Sequence, residues 1–322
     1  MPNKPIVFLT RVLPKPVMER LQSAFDLRFD PSDVPHDKAQ ILEGVKRADG
    51  LIAMLSDPIG REVLDTGVHL KIVANYAVGY NNIDLEAAKA HRVAVTNTPG
   101  VLTETTADLT WALLMTVARR ILEADQWVKA GRWTGWAPTE FMGMDVFGKT
   151  LGLVGLGRIG QAVARRAAGF NMNVVYFSRR RLPEAVEREL GVSYLPLTEV
   201  LKSSDYVSFH LPLNEASHHL IGESELRRMK PSAFLINTSR GPIVDEKALC
   251  AVLAEHRIAG AGLDVYEAEP VVSPQLLQLS NVVTLPHIGS ASFETRVQMG
   301  LMVMENLSAV FQGRTPPNVV ES

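Results

Sequence analysis

The sequence predicts an α/β protein built from two doubly wound parallel-sheet domains, and three observations predict it. Short apolar runs alternate with helical runs along most of the chain. The alternation comes in two series, the second starting afresh near Thr150. Helix-periodic stretches stand before and after that second series, where one domain would hand over to the other and back.

The first series reads as five strands, at 6–10, 27–30, 50–55, 71–76 and 93–97. Several are continuous apolar runs, as expected of strands buried on both faces of a parallel sheet. A long helix follows, because Ala107, Trp111, Leu114, Met115, Ala118, Ile121 and Leu122 repeat at helical spacing. Thr105 with Asp108 marks its start and Gly131 its end. The second series reads as strands at 150–155, 173–177, 193–195, 206–210, 233–237, 260–265 and 282–285. A last helical run, 290–311, is closed by Gly313 and returns the chain to the first domain. The expected division is therefore 1–100 with 290–322, and 101–289 inserted between them.

Composition narrows the function classes. Of 322 residues, 46% are hydrophobic and 21% charged, with a formal net charge of -2. That balance gives no electrostatic footprint for nucleic acid or an anionic membrane, and neither is expected as a partner. The single cysteine, Cys250, has no intrachain disulfide partner and falls in a helical run, 246–254, as a small apolar residue. The first residues lack the apolar stretch of a signal peptide, and no run approaches a membrane span, so a cytoplasmic location is the default expectation. His218 and His219 adjoin no cluster with metal-ligand spacing, so no metal site is expected.

Gly155-Leu156-Gly157-Arg158-Ile159-Gly160 is a G-x-G-x-x-G motif between the 150–155 strand and a helical run that ends at Gly169. In that setting Gly155 serves the tight turn, Gly157 the approach of backbone to a pyrophosphate, and Gly160 close helix–strand packing. The helix N-terminus then presents N–H groups and positive dipole to phosphate. The next strand, Val174-Val175-Tyr176-Phe177, ends at Ser178-Arg179-Arg180-Arg181, where an NAD-binding protein would carry an acid. Guanidinium groups there favour a 2′-phosphate, so the expected cofactor is NADP(H), with NADPH preferred over NADH.

Three polar residues follow three strands of the same sheet: Arg240 after 233–237, Glu269 after 260–265 and His287 after 282–285. Strand C-termini of a parallel sheet open onto one edge. Reduction of a 2-oxo acid needs a hydride and a proton for the new oxyanion. Histidine donates such a proton near neutral pH, a carboxylate beside it fixes the ring, and arginine grips the substrate carboxylate. His210, ending another strand, is a further candidate for the cofactor edge.

These runs resemble the D-isomer-specific 2-hydroxyacid dehydrogenases. The likeness is carried by Gly155–Gly160, Leu211-Pro212-Leu213, Asn237–Gly241 with Val244-Asp245, Asp264 through Pro270, and Pro286–Ser290. It implies a Rossmann cofactor domain inserted in a flavodoxin-like substrate domain, usually in a homodimer. It implies catalytic roles for Arg240, Glu269 and His287. Cofactor contacts are implied at Thr106, Leu156, Gly157, Arg158, Ile159, Gly160, Ser178, Arg179, Arg180, His210, Pro212, Thr238, Ser239, Arg240, Asp264, His287 and Gly289.

Within the family the chain is similar to the glyoxylate and hydroxypyruvate reductases. Ala77–Asp84 resembles their substrate loop, which assigns the N–H groups of Val78 and Gly79 to the substrate carboxylate. Trp133–Pro138 resembles a dimer arm and makes Trp136 a candidate specificity residue. Two other readings share these motifs: a broader D-2-hydroxyacid or 2-ketogluconate reductase, and a nucleotide-sensing binding protein without catalysis.

Overall fold

The computed structural model describes residues 4–320, in two compact units: one of the chain up to Leu102 with Ser290 onward, the other Thr103–Gly289. The first unit alternates β1 (Ile6–Leu9), α1 (Lys15–Ala24), β2 (Asp26–Arg28), α2 (Lys38–Val45), β3 (Gly50–Ala53), α3 (Arg61–Thr66), β4 (Ile72–Asn75), α4 (Leu85–Ala90) and β5 (Ala94–Thr96). Its five strands are parallel in the order β2-β1-β3-β4-β5, the flavodoxin-like order. Ile41, Val45, Val63, Leu64, Ala87 and Ala88 from α2, α3 and α4 cover one face.

The second unit opens with α5 (Thr103–Ala118) and α6 (Ile121–Lys129). It continues with β6 (Thr150–Val154), α7 (Arg158–Ala167), β7 (Asn173–Phe177), α8 (Glu184–Leu190), β8 (Val192–Tyr194), α9 (Leu197–Ser203) and β9 (Tyr206–Phe209). It closes with α10 (Glu223–Leu226), β10 (Phe234–Asn237), α11 (Glu246–Ala254), β11 (Gly260–Leu263), α12 (Pro274–Gln278) and β12 (Val282–Thr284). All seven strands are parallel, in the order β12-β11-β10-β9-β6-β7-β8. Read from β8, with each strand ranked by its place in the chain, this is the Rossmann order carried one strand further. Buried apolar clusters line both faces of the sheet.

The final helix, α13 (Phe293–Phe311), belongs to the first unit. Ser292 caps it by accepting the N–H of Thr295. Met299, Val303 and Leu307 then cover Val7, Leu9, Ile52 and Ile72, the face opposite α2–α4. A side chain at Gly300 would meet Val17 at 2.5 Å, so α13 and α1 cross with almost no space between them.

Three local expectations are corrected. The long helix at 107–122 is two helices, α5 and α6, separated where Arg120 takes a left-handed φ of 53°. Apolar periodicity crosses that break without registering it, because both segments keep an apolar face. Asp108 is no capping residue: α5 already begins at Thr103, and Asp108 accepts from Arg166 at 2.7 Å. The helix after the glycine loop turns at Asn171, which is left-handed, rather than at Gly169. Among the described residues, no helix is long and apolar enough to cross a membrane.

Candidate active site

The C-terminal ends of β10, β11 and β12 are neighbours in one parallel sheet, so the residues leaving them share an edge. At this edge His287 Nδ1 lies 2.7 Å from Glu269 Oε2. The other carboxylate oxygen, Glu269 Oε1, accepts the Tyr266 N–H at 3.0 Å. Burial raises the affinity of Glu269 for a proton; the hydrogen bond and charge of His287, the Tyr266 N–H and the charge of Arg240 outweigh it, holding the carboxyl below its ordinary value. Arg240 is pushed down by burial and partly restored by Glu269. His287 itself sits at φ 54°, a left-handed conformation uncommon for a side chain larger than glycine, and one that clusters at functional sites.

The turns are braced from beneath. Asn237, at the end of β10, accepts the Ser239 N–H at 3.1 Å and the Ser239 hydroxyl at 2.9 Å, and donates to the Arg240 carbonyl at 3.0 Å. Thr238 shares a 2.8 Å hydroxyl bond with Thr110, which donates to the Thr106 carbonyl. The Tyr266 hydroxyl donates to the Leu285 carbonyl at 2.8 Å, tying the turn after β11 to the end of β12. A side chain at Gly241 would overlap the Tyr266 carbonyl, so the Arg240 and Tyr266 turns touch through bare backbone.

Asp264 lies under the His287 turn. Its Oδ1 accepts the Ile288 N–H at 2.7 Å, while among the described residues no hydrogen bond is made to its buried Oδ2. Burial raises this carboxyl above its ordinary value. A side chain at Gly289 would come within 3.3 Å of that oxygen and 3.5 Å of Thr106, so Thr106, Asp264 and Gly289 line one small space.

The glycine loop occupies the middle of the same edge, between β6 and α7. Gly155 has φ +98°, and a side chain there would meet the His210 carbonyl at 2.4 Å. A side chain at Gly160 would meet the Gly155 carbonyl at 2.3 Å. At Gly157, the N-cap of α7, a side chain would meet nothing within 4 Å. The loop therefore holds an open cradle above a helix N-terminus of ten residues, which fits a pyrophosphate. Leu156 packs into the core, leaving its backbone to face that cradle, while Arg158 is exposed and Ile159 partly so.

His210 Nε2 lies 2.9 Å from Ser208 Oγ, and burial pushes this imidazole down to about 3. A neutral ring of that kind is no proton donor near pH 7, and it is the His210 carbonyl, not the ring, that lies against Gly155. The Pro212 carbonyl is taken by the Ser217 hydroxyl at 2.7 Å. Ser178, Arg179 and Arg180 form the turn after β7; Ser178 donates its hydroxyl to the Arg180 carbonyl, and both arginines are exposed.

Val78 and Gly79 lie in the first unit, after β4. Asn97 donates to the Val78 carbonyl at 2.8 Å and Asn75 to the Gly79 carbonyl at 2.8 Å. Among the described residues, no acceptor is paired with the N–H of either residue. Trp136, 85% exposed, lies on the segment after α6 with Trp133, Met142 and Phe147, all exposed. His219 lies 2.7 Å from Glu267. Sequence reasoning missed Tyr266 and Asn237 as braces. Both lie inside quoted motifs, but only the fold shows that their side chains turn back onto the chain.

The chain is similar to known proteins along its whole length. The family described as D-isomer specific 2-hydroxyacid dehydrogenase, NAD binding domain, matches residues 111–289. A glyoxylate reductase of Korarchaeum cryptofilum is 52% identical over 319 residues, covering 98% of this chain and 96% of that protein. One of Thermococcus litoralis is 49% identical over 323 residues, covering 98% and 97%. Among solved structures, a Thermus thermophilus protein superposes with a TM-score of 0.91 at 45% identity, over 98% of this chain and all of that one. An NADPH-dependent glyoxylate/hydroxypyruvate reductase of Sinorhizobium meliloti, solved with NADP and malonate, superposes at 0.88 with 34% identity, over 99% and 97%.

Proposed function

Because the chain belongs to the D-isomer-specific 2-hydroxyacid dehydrogenases, as an oxidoreductase of glyoxylate reductase type, we propose that it reduces glyoxylate and hydroxypyruvate with NADPH and that His287 donates the proton. The observation that carries this reading is the 2.7 Å pair of His287 Nδ1 and Glu269 Oε2 at the strand ends. With Nδ1 engaged, Nε2 is the ring atom left to meet the substrate oxygen. The bound nicotinamide supplies the hydride. His287 passes its Nε2 proton to the oxygen of the former oxo group, giving the 2-hydroxy acid: glycolate from glyoxylate, D-glycerate from hydroxypyruvate. Glu269 stabilises the ring while it carries the proton, and Arg240 polarises the oxo group and holds the carboxylate. In the first unit, the Val78 and Gly79 N–H groups have the chemistry to donate to a carboxylate, the role that the family likeness gives them.

The cofactor contacts follow the same edge. The Gly157 cradle, with Leu156, Arg158 and Ile159, holds the pyrophosphate; Ser178, Arg179 and Arg180 hold the 2′-phosphate. Thr106, His210, Pro212, Thr238, Ser239, Asp264 and Gly289 line the rest. The residues after α6 form the contact with a second copy of this chain. The exposed apolar side chains there, Trp133, Trp136, Met142 and Phe147, support an interface, with Trp136 as the candidate specificity residue.

Absorbance at 340 nm tests the reading directly, with NADPH or NADH and each of glyoxylate, hydroxypyruvate and 2-ketogluconate. Faster turnover with NADPH and the two small acids is expected. Preference for 2-ketogluconate would move the substrate class. No oxidation with any of them, alongside measurable NADPH binding, would reduce the protein to a nucleotide sensor.

A further inference from the structure

Three arginines in a row leave β7, and the structure divides them. Arg181 is bound through two of its three nitrogens to Glu187 of α8, with Nε to Oε1 at 2.9 Å and Nη2 to Oε2 at 2.8 Å. The Tyr176 hydroxyl, from inside β7, donates to the same Oε1 at 2.6 Å and accepts the Leu182 N–H at 2.8 Å. Glu187 is 6% exposed and Tyr176 fully buried, so the junction is a built one rather than a chance surface pair. The Arg181 bonds first, then the Tyr176 hydroxyl, hold the Glu187 carboxyl down to about 2. Arg181 also lies over the Tyr194 ring, 5.7 Å from its centre.

The turn is thus fastened at its far end, at Arg181 and Leu182, while its near end is continuous with β7. Between the two, Ser178 closes the turn on the Arg180 carbonyl. Among the described residues, no carboxylate pairs with Arg179 or Arg180. A fixed, bidentate Arg–carboxylate pair leaves little freedom to its neighbours in a short turn, and cations held in place lose less entropy on meeting a phosphate.

We infer that Glu187, with Tyr176, is a specificity-determining positioning residue: it withdraws Arg181 from the cofactor and holds the turn so that Arg179 and Arg180 meet the 2′-phosphate. The inference rests on the NADPH reading above. Glu187 touches neither cofactor nor substrate in this role; it acts through the turn.

The test is Glu187→Gln, with kcat and KM for NADPH and NADH and affinities for 2′-phospho-AMP and AMP. The expected result is about a tenfold fall in kcat/KM with NADPH, carried by KM rather than kcat. The NADPH:NADH ratio and the 2′-phospho-AMP:AMP affinity ratio should fall together. Tyr176→Phe, which removes one oxygen, should move both ratios the same way by about threefold, and it serves if the first variant does not fold. Equal losses with both cofactors, or unchanged ratios, would overturn the inference and leave the NADPH reading standing. Preference of the unaltered chain for NADH would overturn the NADPH reading itself, before any substitution is made.

Discussion

The two halves of the seven-stranded sheet solve different problems. At the ends of β10, β11 and β12 the side chains and turns hold one another: His287 by Glu269, Glu269 by Tyr266, Ser239 and the Arg240 carbonyl by Asn237. At the ends of β6 and β7 the edge offers bare backbone, open space at Gly157 and exposed arginines. The first half fixes where one proton sits. The second leaves room and positive charge for a large anion. Proton transfer tolerates little error in position, whereas phosphate binding is met by a helix N-terminus and a few cations. The difference teaches where substitution should stop chemistry and where it should only weaken binding.

The sharpest break of that contrast is His287→Ala. Steady-state kinetics should show kcat down by roughly 10²–10⁴-fold with NADPH affinity far less altered, and unchanged turnover would remove His287 from its role. On the other half, Gly157→Val places a branched side chain where an added Cβ meets nothing within 4 Å. The melting temperature should hold, while affinity for NADPH and NADH falls alike, by tenfold or more in order of magnitude. Loss of stability with intact binding would show the cradle to be structural. Replacing Arg179 and Arg180 together by Ala should cut kcat/KM with NADPH by roughly 10–100-fold and spare NADH, with a weaker salt dependence than the parent. The smallest effect concerns acid stability. Glu187 binds its proton less readily folded than unfolded, so its contribution is present above the ordinary carboxylate range and fades as pH falls toward about 2. Glu187→Gln should flatten the melting-temperature profile in that window alone.

Legibility in the sequence divides along the same line. Among the described residues all twelve strands overlap the runs read from the sequence, most plainly β3, β4, β9 and β10, where burial on both faces leaves an unbroken apolar signal; β2, Asp26–Arg28, is partly exposed and only overlaps its expected run. The glycine loop is equally legible: Gly155 and Gly160 answer steric demands of the backbone around them, and Gly157 leaves open space over the helix N-terminus. The break at Arg120 is not, because a single left-handed residue leaves no mark on periodicity. The braces are not legible either. Tyr266 and Asn237 are ordinary residues by type, and their function is a direction in space. Arg181 shows the limit most plainly: three identical residues in a row carry no hint that one of them faces Glu187.

The first unit is left at Leu102 and rejoined at Ser290, and this has a consequence for synthesis. Its five strands leave the ribosome first, yet α13, which covers Val7, Leu9, Ile52 and Ile72, is translated only after the whole second unit. At about 5–20 residues per second, that sheet face waits roughly 10–40 s for its cover. During that interval the nascent chain presents an apolar surface that a holding chaperone can occupy, while the second unit, contiguous in sequence, can fold as soon as it is complete.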